Sequence, residues 1–369
     1  MSNFFDIENQ SYLSTQLITY IGNKRKLLDF ISVPLEKVKS ELGKDKLNIL
    51  DGFAGSGVVS RLFKAHAHTL HTNDLEDYAE VLNKCYLSNK SEINEDEVRA
   101  NIDYLNSLDY KDVGGIIRKN YSPKNDSDIK VDDRCFYTNK NANIIDNIRA
   151  EIDGMENNHL YLAPLLYKAS TNCNTSGVFK GFYKDKNTGI GKFGGTNSDA
   201  LSRITTDITL PYPIFSNYEC DYKIHKSDTN ELVKNIGELD FAYFDPPYNG
   251  HPYGSNYFML NLITRNSINV ESLSRVSGIP NDWNKSEWNK KTTIKNSFEE
   301  LIRNTNAKYI LVSYNNEGFL SYNDFNTILA KYGSVEYFET DYSVFRGGNI
   351  KSNKRSTKVK ELLFLLKKH

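Results

Sequence analysis

The sequence has no apolar run of about 18 residues, the length that a helix needs to cross a membrane. Its first residues do not combine a basic stretch with an apolar one, so we expect no secretory signal. Its four cysteines lie far apart, and no Cys-x-x-Cys spacing supports a zinc site. These absences predict a cytoplasmic protein with reduced thiols and no bound metal. The cysteines are Cys85, Cys135, Cys173 and Cys220.

The chain also has almost no net charge, but its charges are unevenly distributed. The formal net charge is −1 over 369 residues. Between residues 74 and 112 there are 11 acids and 4 bases, whereas residues 346–369 contain 8 bases and one acid, Glu361. This asymmetry predicts faces of opposite sign. The basic end fits either nucleic-acid binding or an ordinary solvated surface.

The stretch Asp245-Pro246-Pro247-Tyr248 follows an apolar and aromatic run, 239–244, which is typical of a buried strand. Neither proline can donate a hydrogen bond to a strand ladder, and the residue before a proline is kept out of the helical region. The pattern therefore predicts a stiff corner at the carboxyl end of a strand, where ligands bind in open α/β sheets. A plain surface turn is the alternative.

A glycine-rich turn is predicted nearer the start of the chain. The apolar strand 47–50 runs into Asp51-Gly52-Phe53-Ala54-Gly55-Ser56-Gly57 and then into a helical pattern at 58–67. This order is the nucleotide-binding arrangement of doubly wound folds, although a tight turn without a ligand has the same pattern. The next strand, 69–72, runs out into Asn73-Asp74, where Asp74 can bind ribose hydroxyls or cap the helix 75–87.

The segment 77–222 interrupts the strand pattern. Helices are predicted at 95–108, 142–152 and 160–171, and the glycine-, lysine- and aromatic-rich stretch 176–195 is predicted to form a hairpin or loop. Pro34 is predicted to break the N-terminal helical pattern, and Gly43 to end the piece at 35–42. The other predicted strands are 218–224, 309–314, 335–345 and 361–366, with a basic segment, 347–358, before the last. The other predicted helices are 255–263, 296–304 and 322–332.

Four motifs occur in an order that resembles a known enzyme family, the S-adenosylmethionine-dependent amino-methyltransferases. Residues 245–248 resemble its catalytic motif, 51–57 its Gly-rich motif, 20–26 its N-terminal cofactor-binding motif and 313–318 a downstream motif. The order, with a long insert before the catalytic motif, resembles the alpha-group, Dam-like, adenine-N6-specific DNA methyltransferases. That group includes modification enzymes of type II restriction systems.

The resemblance implies an α/β fold: a Rossmann-like S-adenosylmethionine-dependent methyltransferase sheet with a largely helical inserted target-recognition domain. The sheet domain would comprise residues 1–76 and 223–369, and the insert residues 77–222. The implied reaction is methyl transfer from S-adenosyl-L-methionine to the N6 amino group of an adenine flipped out of double-stranded DNA. The resemblance leaves open a cognate restriction endonuclease that acts separately, and also whether the protein is a monomer or a homodimer.

The resemblance also assigns roles to residues. In the catalytic motif, Asp245 would accept a hydrogen bond from the adenine amino group, the Pro246 carbonyl would accept the second, and Tyr248 would stack on the base beside Pro247. For Lys24 a solvated helix lysine is the alternative, and for Asp228 a turn aspartate. The residues implied to bind the cofactor are Tyr20, Lys24, Asp51, Phe53, Gly55, Gly57, Asp74, Asp228 and Asp245.

The insert is the predicted DNA reader. Its cations Lys180, Lys184, Lys192 and Arg203 alternate with aromatic residues and can meet phosphates and bases, although an ordinary surface hairpin has the same composition. Two other functions stay open. One is methylation of another planar amino group, in RNA adenine or a protein glutamine, and the other is non-catalytic nucleic-acid binding on the same scaffold.

Overall fold

A computed structural model describes residues 8–195, 198–248, 250, 252–315, 318–343 and 358–369. Its centre is a seven-stranded sheet in the order β3-β2-β1-β4-β5-β7-β6. The strands β1 to β5 are parallel, and β7 is antiparallel to both β5 and β6. The strands are β1 (Leu47–Asp51), β2 (Ala67–Asp74), β3 (Asp221–Lys226), β4 (Leu239–Phe244), β5 (Ala307–Asn315), β6 (Gly333–Ser343) and β7 (Lys358–Lys368).

The central strand β4 explains why the apolar runs of the sequence become parallel strands. Every residue from Leu239 to Phe244 is buried, because helices cover both faces of a parallel sheet. Its neighbours are β1, with Leu50 opposite Ala242, and β5, with Ile310 opposite Ala242 on the other side. The strands predicted from the sequence are confirmed, with ends that move by a few residues. The basic segment 347–358 lies outside the described residues except for Lys358.

Among the described residues, eight α-helices belong to the parts of the chain on either side of the segment 77–222. They are α1 (Gln10–Ser14), α2 (Leu28–Leu42), α3 (Val58–Lys64), α10 (Thr229–Leu232), α11 (Tyr253–Asn256), α12 (Phe258–Arg265), α13 (Ile294–Asn304) and α14 (Tyr322–Leu329). The segment itself contributes six more. They are α4 (Asp77–Tyr86), α5 (Glu95–Asn106), α6 (Ile116–Tyr121), α7 (Asn139–Ile152), α8 (His159–Thr171) and α9 (Leu201–Thr205).

Helix α2 corrects one prediction. Pro34 does not break it, since the helix runs from Leu28 to Leu42 with the proline inside. A proline removes one backbone hydrogen bond, but Ile31, Leu35 and Val38 are fully buried on the same helix and their packing offsets that loss. The helix ends at Gly43, as predicted, with the left-handed φ of +62° that glycine adopts readily.

The segment 77–222 packs directly on the sheet half of the protein. Helix α4 contacts β2 and β3 as well as α8 and α12, and one continuous hydrophobic core includes residues of both parts. Within the stretch 176–195, the chain forms a short turn. Lys184 and Gly191 pair there in an isolated antiparallel β-bridge, and the Asp185 amide donates to the Ile190 carbonyl at 2.8 Å. The rest of that stretch is irregular, so the predicted hairpin is limited to this turn.

Two further features concern the whole described chain. In the described part of the chain, no helix is both long and apolar enough to cross a membrane. All four cysteines, Cys85, Cys135, Cys173 and Cys220, are buried and are not joined in disulfides.

Candidate active site

The predicted functional acids meet at one edge of the sheet. Asp51 ends β1, Asp74 ends β2, and Asp245 directly follows β4. These three strands are parallel neighbours, so their carboxyl ends lie side by side. The strand order reverses between β1 and β4, and such a reversal opens a crevice above the carboxyl ends of the strands.

A cavity of about 890 Å³, including the solvent at its mouth, occupies this crevice. All but one of the predicted cofactor-binding residues line it; the lining includes Tyr20, Lys24, Asp51, Phe53, Gly55, Asp74, Asp228 and Asp245. The exception is Gly57, the residue that caps the N-terminus of α3. A Cβ added at Gly57 would lie 2.8 Å from the Asn83 side-chain oxygen. The structure therefore gives Gly57 a packing role beside the cavity.

Asp51 presents an unsatisfied oxygen at the floor of the cavity. Its Oδ2 accepts a hydrogen bond from the Ser60 hydroxyl at 2.6 Å, while its buried Oδ1 has no hydrogen-bond partner among the described residues. Burial, reinforced by the neighbouring Asp245 charge, raises the pKa of Asp51 to about 7. A buried carboxylate with one open oxygen is suited to a cationic ligand group.

Asp74 connects the glycine-rich turn to the end of β2. Its two oxygens accept hydrogen bonds from the Gly55 amide at 2.8 Å and from the Glu76 amide at 3.0 Å. The predicted alternative, a helix cap, is wrong, because α4 begins at Asp77 and its capping position is Glu76. Burial raises the pKa of Asp74, and its backbone hydrogen bonds partly oppose that effect.

Aromatic rings form one wall of the cavity. The Tyr20 ring stacks on Tyr253, with centroids 5.1 Å apart, and on Tyr257, with centroids 4.8 Å apart. Its hydroxyl lies 3.3 Å from that of Tyr78. Gly55 approaches this ring so closely that an added Cβ would lie 2.9 Å from Tyr20 Cε1. The glycine thus lets the turn after β1 pack against the aromatic wall.

The lining also contains residues that the sequence did not reveal. Trp288 is buried and contacts Phe53 edge to face, with centroids 5.3 Å apart. Glu76 is 4% exposed, and its Oε2 accepts hydrogen bonds from the Asn261 and Asn284 amides. Burial raises the pKa of Glu76 to about 7. The only sequence signal for Trp288 was its place in a polar stretch after α12.

Asp228 begins helix α10 at the rim of the cavity. Its Oδ1 accepts hydrogen bonds from the Asn230 amide at 2.9 Å and the Glu231 amide at 3.4 Å. The predicted alternative, a turn aspartate, therefore agrees with the local structure, in which Asp228 caps α10. Because Asp228 also lines the cavity, both alternatives remain compatible with its position.

The catalytic-motif corner carries a buried charge cluster. Lys24 Nζ lies 3.2 Å from Asp245 Oδ1 and 2.6 Å from Glu361 Oε1, and Ser313 donates to the same Glu361 oxygen at 2.8 Å. Lys24 is only 4% exposed, so a solvated helix lysine is ruled out. Burial raises the pKa of Asp245 to about 6, the Lys24 ammonium lowers it, and Glu361 adds to the rise. The two carboxylates outweigh burial and raise the pKa of Lys24.

The rest of the motif surrounds this carboxylate. Pro247 lines the cavity, while Pro246 is buried behind it. The Tyr248 ring meets Tyr314 edge to face, with centroids 5.9 Å apart, and its backbone carbonyl accepts from the Phe319 amide at 3.0 Å. These contacts fix the ring beside the cavity.

The predicted DNA-binding residues divide into two groups. Lys180 and Lys184 are exposed, Lys192 is half-buried, and the Lys184 ammonium lies 5.0 Å from the centre of the Phe182 ring. Arg203 donates through Nη1 to the Cys173 carbonyl at 2.9 Å and to the Thr171 carbonyl at the end of α8. Its guanidinium therefore already supports the insert.

The stretch that carries Lys180 is anchored close to the cavity. The Phe179 amide donates to the Asn256 carbonyl of α11 at 2.8 Å, and Tyr253 and Gly254 of that helix line the cavity. Phe179 itself is buried. The backbone directly before Lys180 is therefore tied to the helix whose first residues line the cavity.

Comparison with known proteins agrees with this arrangement. The family model for D12 class N6 adenine-specific DNA methyltransferases matches residues 20–328. Type II methyltransferase M.NlaIII of Neisseria lactamica is 28% identical over 361 residues, which cover 95% of this chain and 99% of that protein. Type II methyltransferase M.CviAII of Paramecium bursaria Chlorella virus 1 is 30% identical over 348 residues, or 89% and 93% of the two chains.

Modification methylase StsI of Streptococcus sanguinis is 28% identical over 372 residues, which cover 95% of this chain but 52% of that longer protein. The family match spans the Gly-rich turn, the insert and the catalytic-motif corner. The resemblance inferred from the motifs is confirmed, together with the Rossmann-like α/β fold class and the enzymatic activity that it implied. The chain belongs to the D12 class of N6 adenine-specific DNA methyltransferases.

Proposed function

We propose that the protein transfers the methyl group of S-adenosyl-L-methionine to N6 of an adenine flipped out of double-stranded DNA at a specific sequence. It would act in the cytoplasm, and it would be the modification enzyme of a type II restriction-modification system. The names of its relatives, type II methyltransferases and a modification methylase, support this role. The observation that carries the proposal is one cavity lined by Asp51, Asp74 and Asp245 at the carboxyl ends of neighbouring strands.

The lining residues suit the proposed methyl donor. The open Oδ1 of Asp51 can accept a hydrogen bond from the ammonium of the methionine part, and Asp74 retains acceptor capacity for ribose hydroxyls. The close contact of Gly55 with Tyr20 leaves backbone rather than side chain facing the ligand. When bound, S-adenosylmethionine supplies a methyl group that its sulfonium has already activated.

The catalytic corner would then act by positioning and electrostatics. The adenine amino group is a weak nucleophile, because its lone pair is delocalised into the ring. Asp245 would accept one of its N–H hydrogen bonds, and the Pro246 carbonyl the other, so that the nitrogen is aimed at the methyl group and its developing positive charge is stabilised. Lys24, 3.2 Å from Asp245, favours the ionised carboxylate that this role requires.

The base would have to leave the duplex to reach this corner. Extruded bases are held between aromatic faces, and Tyr248 is fixed beside Asp245 by its contact with Tyr314. Residues 77–222 would form the target-recognition part, with Lys180, Lys184 and Lys192 on phosphates. The anchoring of Phe179 on α11 supports a location for these lysines close to the flipped base.

The test compares Asp245→Asn with the unchanged protein. The variant keeps the size of the side chain but loses the charge, so we expect labelled methyl transfer to DNA to fall by at least about 100-fold, the usual effect of removing one electrostatic catalytic group. Cofactor affinity, measured by calorimetry, should largely survive and serves as the folding control. Near-normal turnover would refute the role of Asp245. Methylation-aware sequencing of DNA from expressing cells would identify the recognised sequence.

A further inference from the structure

The buried ammonium of Lys24 is shared unequally between two carboxylates. Glu361, on β7, lies 2.6 Å from Nζ, whereas Asp245 lies 3.2 Å away. The longer contact is an ion pair to the buried Asp245 Oδ1, and among the described residues this oxygen has no closer polar partner. Glu361 is 3% exposed and is held in place by the Ser313 hydroxyl.

This inequality matters for a hydrogen-bond acceptor. An ammonium has three donors and, left with one carboxylate, would bind it directly. A carboxylate oxygen that is engaged in this way is a weaker acceptor for a substrate N–H. Glu361, which makes the shorter of the two contacts, draws the ammonium toward β7.

We propose that Glu361 is a positioning residue for methyl transfer: because it makes the shorter contact with the Lys24 ammonium, it keeps Lys24 from binding Asp245 more tightly, so that the Asp245 carboxylate stays a strong acceptor for the adenine amino group. This inference rests on the proposed role of Asp245 as the acceptor. It adds a requirement from the antiparallel strand β7, two strands from β4 and outside the four motifs. In the absence of Glu361, Lys24 would bind Asp245 more tightly and weaken it as an acceptor for the substrate.

Other groups near Asp245 bear on the pH dependence of this arrangement. The tyrosines facing the cluster have raised pKa values, chiefly because they are buried, and they stay neutral over the working range of pH. Asp51 is the remaining acid, and its pKa of about 7 makes it titrate in the same range. Measuring single-turnover rates with saturating cofactor reduces the effect of Asp51 titration on the rate profile. Among the described residues, the titratable groups that act on Asp245 are Lys24, Glu361, Asp51, Tyr243, Tyr248 and Tyr253.

The test is Glu361→Gln, which keeps an acceptor for Ser313 and Lys24 but removes the charge. We expect the single-turnover rate at pH 8 to fall roughly 10-fold, the effect of about one weakened hydrogen bond in the transition state. The acid limb of the rate profile should move to lower pH, because Asp245 loses a like charge and gains a closer ammonium. Ser313→Ala, which only loosens Glu361, should move both quantities in the same direction by less.

The matched control is Glu336→Gln on the neighbouring strand β6, where the exposed carboxylate pairs with Lys37 at 2.7 Å. It should leave rate and profile unchanged. A Glu361→Gln rate that falls without movement of the acid limb would mean a purely structural role, and an unchanged rate would mean none; either result overturns the proposal. If Glu361→Gln does not fold, as judged by cofactor binding, Ser313→Ala decides by the same criteria. Full activity of Asp245→Asn would instead refute the role of Asp245 itself.

Discussion

Replacement of Gly55 by alanine tests how the glycine-rich turn builds the cofactor cavity. Gly55 has a φ of +52°, in the left-handed region, and its amide donates to Asp74 Oδ2 at 2.8 Å. An added Cβ would lie 2.9 Å from Tyr20 Cε1 and 3.0 Å from its hydroxyl oxygen. Tyr20 cannot retreat freely, because its ring stacks on Tyr253 and Tyr257.

Two effects therefore add for Gly55→Ala. The left-handed backbone costs a non-glycine residue about 1–2 kcal/mol. Overpacking against the Tyr20 ring costs about 1–3 kcal/mol more. Because the turn and the ring both line the cavity, any displacement also lowers cofactor affinity, by about tenfold for each ~1.4 kcal/mol of binding energy lost. We expect a fall in thermal stability together with a larger dissociation constant for S-adenosylmethionine, measured by calorimetry.

Gly43→Ala provides the matched control. Gly43 also has a left-handed φ, of +62°, but an added Cβ would meet nothing within 4 Å. This variant should lose a similar amount of stability through the backbone alone and keep normal cofactor affinity. If Gly55→Ala bound the cofactor as tightly as Gly43→Ala does, the glycine-rich turn would not form the ligand cradle inferred from its geometry.

Two further variants test other parts of the proposal. Asp74→Ala should weaken S-adenosylmethionine binding in calorimetry, because the ribose loses an acceptor and the Gly55 turn loses its anchor; unchanged affinity with a normal fold would leave Asp74 a purely structural residue. Neutralising Lys180, Lys184 and Lys192 together should weaken DNA binding and reduce its salt dependence by about one unit of slope for each lost phosphate contact, with cofactor affinity unaltered. An unaltered slope would remove this segment from the DNA interface.

The sequence predicted the sheet edge of the site well, for a physical reason. Buried parallel strands are short apolar runs, and the polar residue that ends each run must lie at the carboxyl edge. Asp51 and Asp245 stand at the end of such runs, and Asp74 ends the neighbouring, more polar strand β2, so their convergence on one cavity follows from topology. The prolines after Asp245 stop the strand at a fixed point, so the sequence alone predicts where the corner lies.

The remaining parts of the site depend on contacts between distant positions. Glu361 lies 337 positions from Lys24, and in the sequence it was visible only as the single acid in a basic region. Trp288 and Glu76 reach the cavity through packing that no local pattern encodes. The failed prediction at Pro34 has the same origin, since tertiary packing of α2 outweighs a local preference.

The cluster of buried acids has a consequence for the stability of the protein without cofactor. Burial raises the pKa of Asp51 and Glu76 to about 7 and that of Asp245 to about 6, above the unfolded values of about 4. These acids therefore bind more protons in the folded than in the unfolded state between about pH 4 and 7, so the stability that they contribute falls as pH rises through that window. Histidines act in the opposite direction, because burial lowers the pKa of His66, His159 and His225 and that of His71 to about 4, so their contribution rises with pH up to about pH 6.5. Carboxylates with lowered pKa values, such as Glu36 at about 2, act only at lower pH.

A cationic cofactor reverses this effect, because it binds the ionised acids. We expect the rise in melting temperature on adding S-adenosylmethionine to be larger at pH 8 than at pH 5.5. Asp51→Asn removes one buried charge, so it should shrink this rise, most of all at pH 8. An equal rise at the two pH values would contradict this account, because cofactor binding would then not depend on the ionisation of these acids.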